Sequence, residues 1–158
     1  DDDGLPPTRL GVRALRTRIM LVSRLATKSR ELDVVLAMGR KALALGRYSA
    51  ADRQHLIDAM VEACAYWYHR HGQASFVNKY KRQALELYEE AKSLDTPNVL
   101  TNKRLRFQIL PLQLANYGIL DLLDHTEVLR VETDALTAGA LRVSERISKL
   151  KKNLPPRS

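Results

Sequence analysis

Apolar residues recur every three or four positions along most of this chain, which is the spacing of one face of an α-helix. The first run follows two prolines and has the apolar stripe Val12, Leu15, Ile19, Val22 and Ala26. The second run has the stripe Val35, Met38, Ala42 and Leu45. Gly46 follows directly, where a helix-ending glycine is expected. These runs predict two helices joined by a short link.

The next two runs predict a second helix pair. Ser49 and Asp52 have the spacing of a capping box, in which the serine hydroxyl accepts a hydrogen bond from the third amide of the helix. The third helix has the apolar stripe Leu56, Met60, Ala63 and Trp67. Gly72 is expected to end it. A fourth helix is predicted over residues 75–94, with the stripe Val77, Tyr80, Ala84, Leu87 and Ala91.

Proline and glycine divide the rest of the chain. Pro97 disfavours helix at the residue before it but permits a new helix just after it. A fifth helix is therefore predicted from about Asn98, with Leu105, Ile109 and Leu112 facing inward. Pro111 is expected to kink or split this helix. A short sixth helix is predicted between Gly118 and Leu123. A long last helix follows over about residues 126–152, with the stripe Leu136, Ala140, Val143, Ile147 and Leu150.

The chain is thus predicted to be all-α, with about seven helices in antiparallel hairpins that stack as a short helical solenoid. Residues 8–152 form a single repeat-like helical domain in this interpretation. Residues 1–7 are an extended N-terminal segment, and residues 153–158 are a basic C-terminal tail. No single helix pair can bury its own apolar face, so neighbouring pairs must pack together.

Charge and composition narrow the range of partners. The net charge is +8, which favours nucleic acid, anionic lipid or an acidic protein surface without choosing among them. No apolar run approaches the roughly 20 residues that a membrane-spanning helix needs, so no membrane span is predicted. A single cysteine, Cys64, excludes an internal disulfide. It lies in an apolar stretch and is predicted to be a buried small hydrophobic residue.

The sequence contains no recognisable set of catalytic residues. Neither a phosphate-binding glycine loop nor a dinucleotide fingerprint is present. The four histidines offer no pair at the four-residue helical spacing that places two imidazoles on one face, and one cysteine does not complete a zinc set. We therefore predict no catalytic residue, no cofactor and no metal site, and we do not expect the chain to be an enzyme by itself.

Three groups of residues are candidates for binding a partner. The first is an arginine face opposite the first apolar stripe, consisting of Arg9, Arg13, Arg16 and Arg24. A solvated face, an acidic protein partner and RNA phosphate are three open interpretations of it. The second group, Tyr66, Tyr68 and Arg70, flanks the stripe to which Trp67 belongs, which leaves its tyrosines freer to meet a partner. The third group is Lys103, Arg104 and Arg106.

Two stretches resemble the pentatricopeptide repeat. The pairs Ala42-Leu43 and Ala84-Leu85 lie 42 positions apart, within the period of helical solenoids. The stretch ALELYEEAKSLDTPNVLTNKRL resembles the end of one such repeat running into the next, and HLIDAMVEAC resembles the first helix of a repeat. The tetratricopeptide repeat, whose adaptors grip peptide tails, is the alternative because it shares the helix-pair architecture.

The resemblance implies two kinds of partner. RNA-reading pentatricopeptide proteins recognise each base with two side chains per repeat. The base-facing positions here are His55 and Lys103, where those proteins usually carry Asn, Ser or Thr, so this sequence departs from the RNA-reading pattern. A basic chain of this size and helix count is also similar to the pentatricopeptide-type extra subunits on the mitochondrial ATP synthase catalytic head of euglenozoans such as trypanosomes.

That second similarity implies a non-catalytic structural subunit that docks through its helical faces onto protein subunits of the complex. It also implies a location on the matrix side of the mitochondrion, after removal of a targeting peptide. An RNA-binding pentatricopeptide protein or a mitochondrial ribosomal component remains the alternative.

Overall fold

The structure is a computed structural model of the chain, and it describes residues 9–46, 48–71, 78–93, 110–137, 139, 141–152 and 154. Every regular element in these residues is an α-helix. The all-α prediction is therefore confirmed. The finer prediction of a pentatricopeptide-like solenoid stays a prediction.

The chain divides into two compact units, Asp1–Thr96 and Pro97–Ser158. The first unit contains helices α1 (Arg9–Leu25), α2 (Ser29–Ala44), α3 (Ala50–His71) and α4 (Asn78–Ser93). In the second unit residues 110–116 are helical, and helices α5 (His125–Thr137) and α6 (Leu141–Lys152) follow.

Helix α3 forms the centre of the first unit. The predicted stripe Leu56, Met60, Ala63 and Trp67 is almost completely buried. A second stripe beside it, one position further along the chain at each step, is buried as well and consists of Ile57, Val61, Cys64 and Tyr68. A helix that is apolar over so much of its circumference needs neighbours on several sides. It packs most extensively against α4 and α1, and it also contacts α2.

Contacts near both ends of α1 define its direction relative to α3. Near the C-terminal end of α1, the Arg24 Nη2 atom lies 3.3 Å from Glu62 Oε1 of α3. Nearer the N-terminal end, Val12 lines the same cavity as Asp52 and His55. The earlier residues of α1 thus lie beside the earlier residues of α3, and the later residues of α1 beside later residues of α3. Helices α1 and α3 therefore run parallel.

Helix α2 runs in the opposite direction to α3. Gly39 of α2 lies against Met60 of α3. Further back along α2, Asp33 accepts a hydrogen bond of 2.7 Å from the Tyr80 hydroxyl. The Tyr80 ring lies 6.2 Å from the ring of Trp67, measured between centroids, so the start of α2 lies near the end of α3.

The helix-end predictions in the first unit are largely confirmed. Gly46 has a φ of +65° at the end of α2, a left-handed conformation that glycine adopts without strain. The Asp52 amide donates to the Ser49 hydroxyl over 3.2 Å, which is the first half of the predicted capping box. Leu45, predicted to face inward, is 39% exposed because it lies beyond the last residue of α2. That prediction is wrong.

The predicted stripes of α1 and α4 are buried in the described residues, except that Val22 is only half-buried. In α1 the buried members are Val12, Leu15, Ile19 and Ala26, the last directly after the helix; in α4 they are Tyr80, Ala84, Leu87 and Ala91. Several other sequence predictions lie outside the described residues. They concern Gly72, Val77, Pro97 and residues 98–109.

In the second unit the predicted short helix between Gly118 and Leu123 is wrong. The helical segment 110–116 ends in a Schellman motif, in which the Ile119 amide donates to the Leu114 carbonyl and the Gly118 amide to the Ala115 carbonyl. Gly118 has a φ of +90°. Residues 117–124 then form turns and irregular backbone.

The predicted single helix over residues 126–152 is also wrong, because the chain breaks at Gly139, whose φ is +70°. Helices α5 and α6 pack against each other across this break. Ile147 and Val128 thereby join Leu112 in one buried cluster. Leu136, predicted to belong to the stripe, is 59% exposed.

We predict that Gly39→Ala destabilises the protein, although alanine is favoured over glycine inside a helix by about 1 kcal/mol. A Cβ atom at position 39 would lie 2.7 Å from the buried Met60 sulfur. Overpacking of this kind costs about 1–3 kcal/mol. We expect the free energy of unfolding, measured by urea denaturation, to fall by about 1 kcal/mol in the net.

The control is the same substitution in a Met60→Val background, which removes the sulfur. There Gly39→Ala should stabilise the protein relative to Met60→Val alone. An equal loss of stability in both backgrounds would show that the contact with Met60 is not the cause.

Candidate partner-binding surface

Helix α1 has an unusual charge composition. Its sequence, RLGVRALRTRIMLVSRL, contains five arginines and no Asp or Glu. One side of the helix is buried by the stripe that begins at Val12. The other side carries Ala14, Arg18, Leu21 and Leu25, which are spaced by four, seven and eleven positions and are all exposed. We call these four residues the outer face of α1.

The outer face of α1 exposes two large apolar side chains on one side of a single helix. Leu21 is 51% exposed and Leu25 is 73% exposed. Single exposed leucines are ordinary on protein surfaces, but apolar residues gathered on one face are typical of interaction sites. Sequence reasoning missed this row because it followed only the stripe that faces the core. The spacing of Ala14, Leu21 and Leu25 was the signal that could have revealed it.

The predicted arginine face is divided in the structure. Arg13 is exposed, and Arg16 is half-buried. Arg24, expected on the solvent side, instead turns toward α3, where its Cζ atom lies 3.6 Å from the ring centroid of Tyr66. The side chain of Arg9 lies outside the described residues.

Arg24, Tyr66 and Arg70 are brought together where the C-terminal part of α1 crosses α3. The Arg24 guanidinium stacks on Tyr66 and pairs with Glu62, while Arg70 donates a hydrogen bond to the Arg24 backbone carbonyl. Arginine suits this position because its planar group stacks on an aromatic ring and pairs with a carboxylate at the same time. These residues fasten α1 to α3.

Tyr68, expected to remain available to a partner, is only 6% exposed. It belongs to the second buried stripe of α3, so the expectation that it is accessible is wrong. The third predicted group, Lys103, Arg104 and Arg106, lies outside the described residues.

A cavity of about 290 Å³ opens between the N-terminal parts of α1 and α3. Its lining residues are Val12, Arg13, Arg16, Asp52 and His55. Two of the predicted arginines therefore line the same cavity as His55, one of the two positions that the resemblance predicts to face a base, although nothing in the spacing of the sequence placed them together.

Polar contacts between side chains join α2 to α4. The Tyr80 hydroxyl donates to Asp33 over 2.7 Å and also lies 3.2 Å from the Ser29 carbonyl, while Lys79 Nζ lies 3.0 Å from Asp33. Burial raises the pKa of Tyr80, and its hydrogen bond to the Asp33 carboxylate raises it further. Tyr80 therefore stays protonated and acts as a fixed donor between the two helices.

Cys64 is buried in α3, as predicted. Burial raises the pKa of its thiol to about 12, against a smaller opposing effect of the Arg40 charge. The thiol is therefore protonated at neutral pH, and the thiolate is the reactive form of cysteine. Cys64 contributes to packing.

Within the described residues, no group of three or more His, Cys, Asp or Glu side chains is placed to hold a metal ion. None of the helices in that part of the chain combines the length and apolarity that a bilayer crossing requires. No protein-family model, curated protein or solved structure matches this chain. Function is therefore inferred from the residues themselves.

His71, at the end of α3, stacks on Trp67 with 4.0 Å between the ring centroids. Burial lowers the pKa of His71 below its usual 6.5, and the Arg70 charge lowers it further. Between the lowered pKa of His71 in the folded chain and the usual value of 6.5, this imidazole binds a proton more readily in the unfolded chain than in the folded chain. The stability contributed by neutral His71 is thus fully present above pH 6.5 and is lost as the pH falls through the folded pKa.

We predict that His71→Phe, which keeps an aromatic ring but does not titrate, reduces the loss of stability between pH 7.5 and pH 5.5. The measurement is the free energy of unfolding from urea denaturation at both pH values. His69→Phe, at an exposed neighbouring position, is the control for placing a phenylalanine at this end of α3. Parallel pH profiles for His71→Phe and the wild type would contradict the prediction.

Proposed function

We propose that this protein is a non-catalytic structural subunit that docks onto a larger protein assembly through the outer face of α1. The observation that carries the proposal is the exposed pair Leu21 and Leu25 on a helix that has arginines and no carboxylate. An apolar centre with a charged surround is the usual composition of a protein interface. The partner surface is therefore apolar in its middle and acidic around it.

Two effects favour docking: the burial of apolar surface and electrostatic attraction. Covering the exposed parts of Leu21 and Leu25 contributes about 1–2 kcal/mol for each side chain. The arginines of α1 attract an acidic partner over longer distances and orient it during the encounter. Because α1 is already fastened to α3 by Arg24, little ordering of this helix is needed on binding, which lowers the entropic cost.

The proposed host is the catalytic head of the mitochondrial ATP synthase, on the matrix side of the inner membrane. The support for this host is the pentatricopeptide-like sequence of residues 84–105 together with the size and basic charge of the chain. In this role the chain binds through its surface and contributes no catalytic residue to its host.

RNA binding is the second candidate function, and the net charge of +8 favours it. Binding that depends on phosphate contacts weakens steeply as salt is added, because bound counterions are released from the nucleic acid. An interface with an apolar centre responds much less. The two functions therefore differ in their response to salt and to ribonuclease.

We predict that the tagged protein, purified from its native cells, retains subunits of the ATP synthase catalytic head in near-equal amounts with and without ribonuclease. The measurement is quantitative mass spectrometry of the bound proteins. Recovery of ribosomal or other RNA-bound proteins that disappear with ribonuclease would contradict the proposal and favour the RNA-binding function.

The double variant Leu21→Ser/Leu25→Ser should lose most of the bound subunits while its stability stays within about 1 kcal/mol of the wild type, since both side chains are exposed. Val34→Ser is the matched control, because Val34 is 58% exposed on α2. It should keep the wild-type yield. Equal yields from all three proteins would exclude the outer face of α1 as the docking site.

A further inference from the structure

The cavity between α1 and α3 is lined by one apolar and four polar or charged residues. Val12 is the apolar one and is 1% exposed. Arg13 and Arg16 lie beside it on α1, and Asp52 and His55 face them from α3. At about 290 Å³, the cavity is large enough for the side chain of one amino acid and too small for a helix.

The fold accounts for this placement. Val12 and Arg16 are four positions apart on α1, and Asp52 and His55 are three positions apart on α3. Residues at these spacings lie on the same side of a helix. The parallel course of α1 and α3 sets the two pairs opposite each other. Asp52 lies in the first turn of α3, where the helix dipole favours negative charge. The negative charge of its carboxylate and the positive end of the helix dipole partly offset each other at the cavity.

The charges of the lining indicate what the cavity takes. Arg13 and Arg16 contribute two positive charges and Asp52 one negative charge, so these three side chains carry a net charge of +1. A single carboxylate matches this charge. A phosphate dianion matches it less well, because it would bring a second negative charge close to Asp52.

The geometry points to a carboxylate-binding site: we propose that this cavity receives one acidic side chain, Asp or Glu, of the protein partner. The planar guanidinium of arginine matches the two oxygens of a carboxylate and binds them through parallel hydrogen bonds. Arg13 is exposed and supplies the accessible guanidinium, while Arg16 is half-buried beside it. The site rests on the proposed function, and it adds the side-chain chemistry that the partner must present.

The test uses the purified full chain without any partner. The probe is N-acetyl-glutamate α-methylamide, whose only charge is the side-chain carboxylate, added at constant ionic strength while NMR follows the amide and arginine Nε–H signals. We expect saturable shifts at Arg13, at Asp52 and at His55. The corresponding glutamine derivative is the neutral control and should produce no saturable shift.

Arg13→Gln should weaken binding of the glutamate probe by about tenfold, the factor expected when one charge-assisted hydrogen bond is lost. Arg16→Lys keeps the charge but loses the planar fork, and it should weaken binding by a smaller factor. Arg30→Gln, at an exposed arginine of α2, is the control for general charge and should leave the affinity unchanged.

Three results would overturn the site: no saturable shift with the glutamate probe, equal shifts with the glutamine derivative, or equal weakening by Arg13→Gln and Arg30→Gln. Tighter binding of inorganic phosphate at the same ionic strength would also overturn it, in favour of a phosphate site. Because no partner is present, this experiment fails or succeeds independently of the co-purification that tests docking.

Discussion

The first unit depends on the burial of α3 along two adjacent stripes. A helix with a single apolar stripe needs one neighbour to cover it. Helix α3 has two adjacent buried stripes, one through Met60 and one through Val61, so it needs several neighbours. Helices α1, α2 and α4 meet this requirement. The close approach of α2 is possible because Gly39 has no side chain where the Met60 sulfur lies. The hydrogen bond from Tyr80 to Asp33 then links α4 to α2.

The same constraint leaves α1 with two different sides. Its inner side is consumed by packing on α3, and Arg24 fastens it there by contacts with Tyr66 and Glu62. Its outer side is held in a fixed position and exposes Leu21 and Leu25. The parallel alignment of α1 and α3 also creates the cavity that Arg13 lines. The outer face of α1 and the proposed carboxylate site are thus both consequences of how α1 covers α3.

Local patterns predicted much of the first unit. The helix period and the ends of helices depend on neighbouring residues, so the α4 stripe beginning at Tyr80 and the glycine at position 46 could be read from the sequence. The burial of Tyr68 could not be predicted by following one stripe, because it depends on how many helices cover α3. The position of Arg24 was also missed, since a long side chain can leave the side of the helix on which its Cα atom lies.

In the second unit the break at Gly139 could not be decided locally. A glycine inside a helix costs only about 1 kcal/mol relative to alanine, so the sequence alone permits either a break or a continuous helix. Contacts between distant residues favour the break. Ile147 packs with Val128 and Leu112, and Lys151 Nζ lies 3.0 Å from Glu132 Oε1 across the α5–α6 pair.

We propose that α1 binds the partner through its outer face. The most direct measurement is hydrogen–deuterium exchange of the backbone amides, compared between the purified chain and the same chain within its isolated assembly. We expect peptides from residues 9–25 to exchange more slowly in the assembly, while those from residues 56–68 of α3, beyond the cavity, change little. Unchanged exchange in residues 9–25 would contradict the claim.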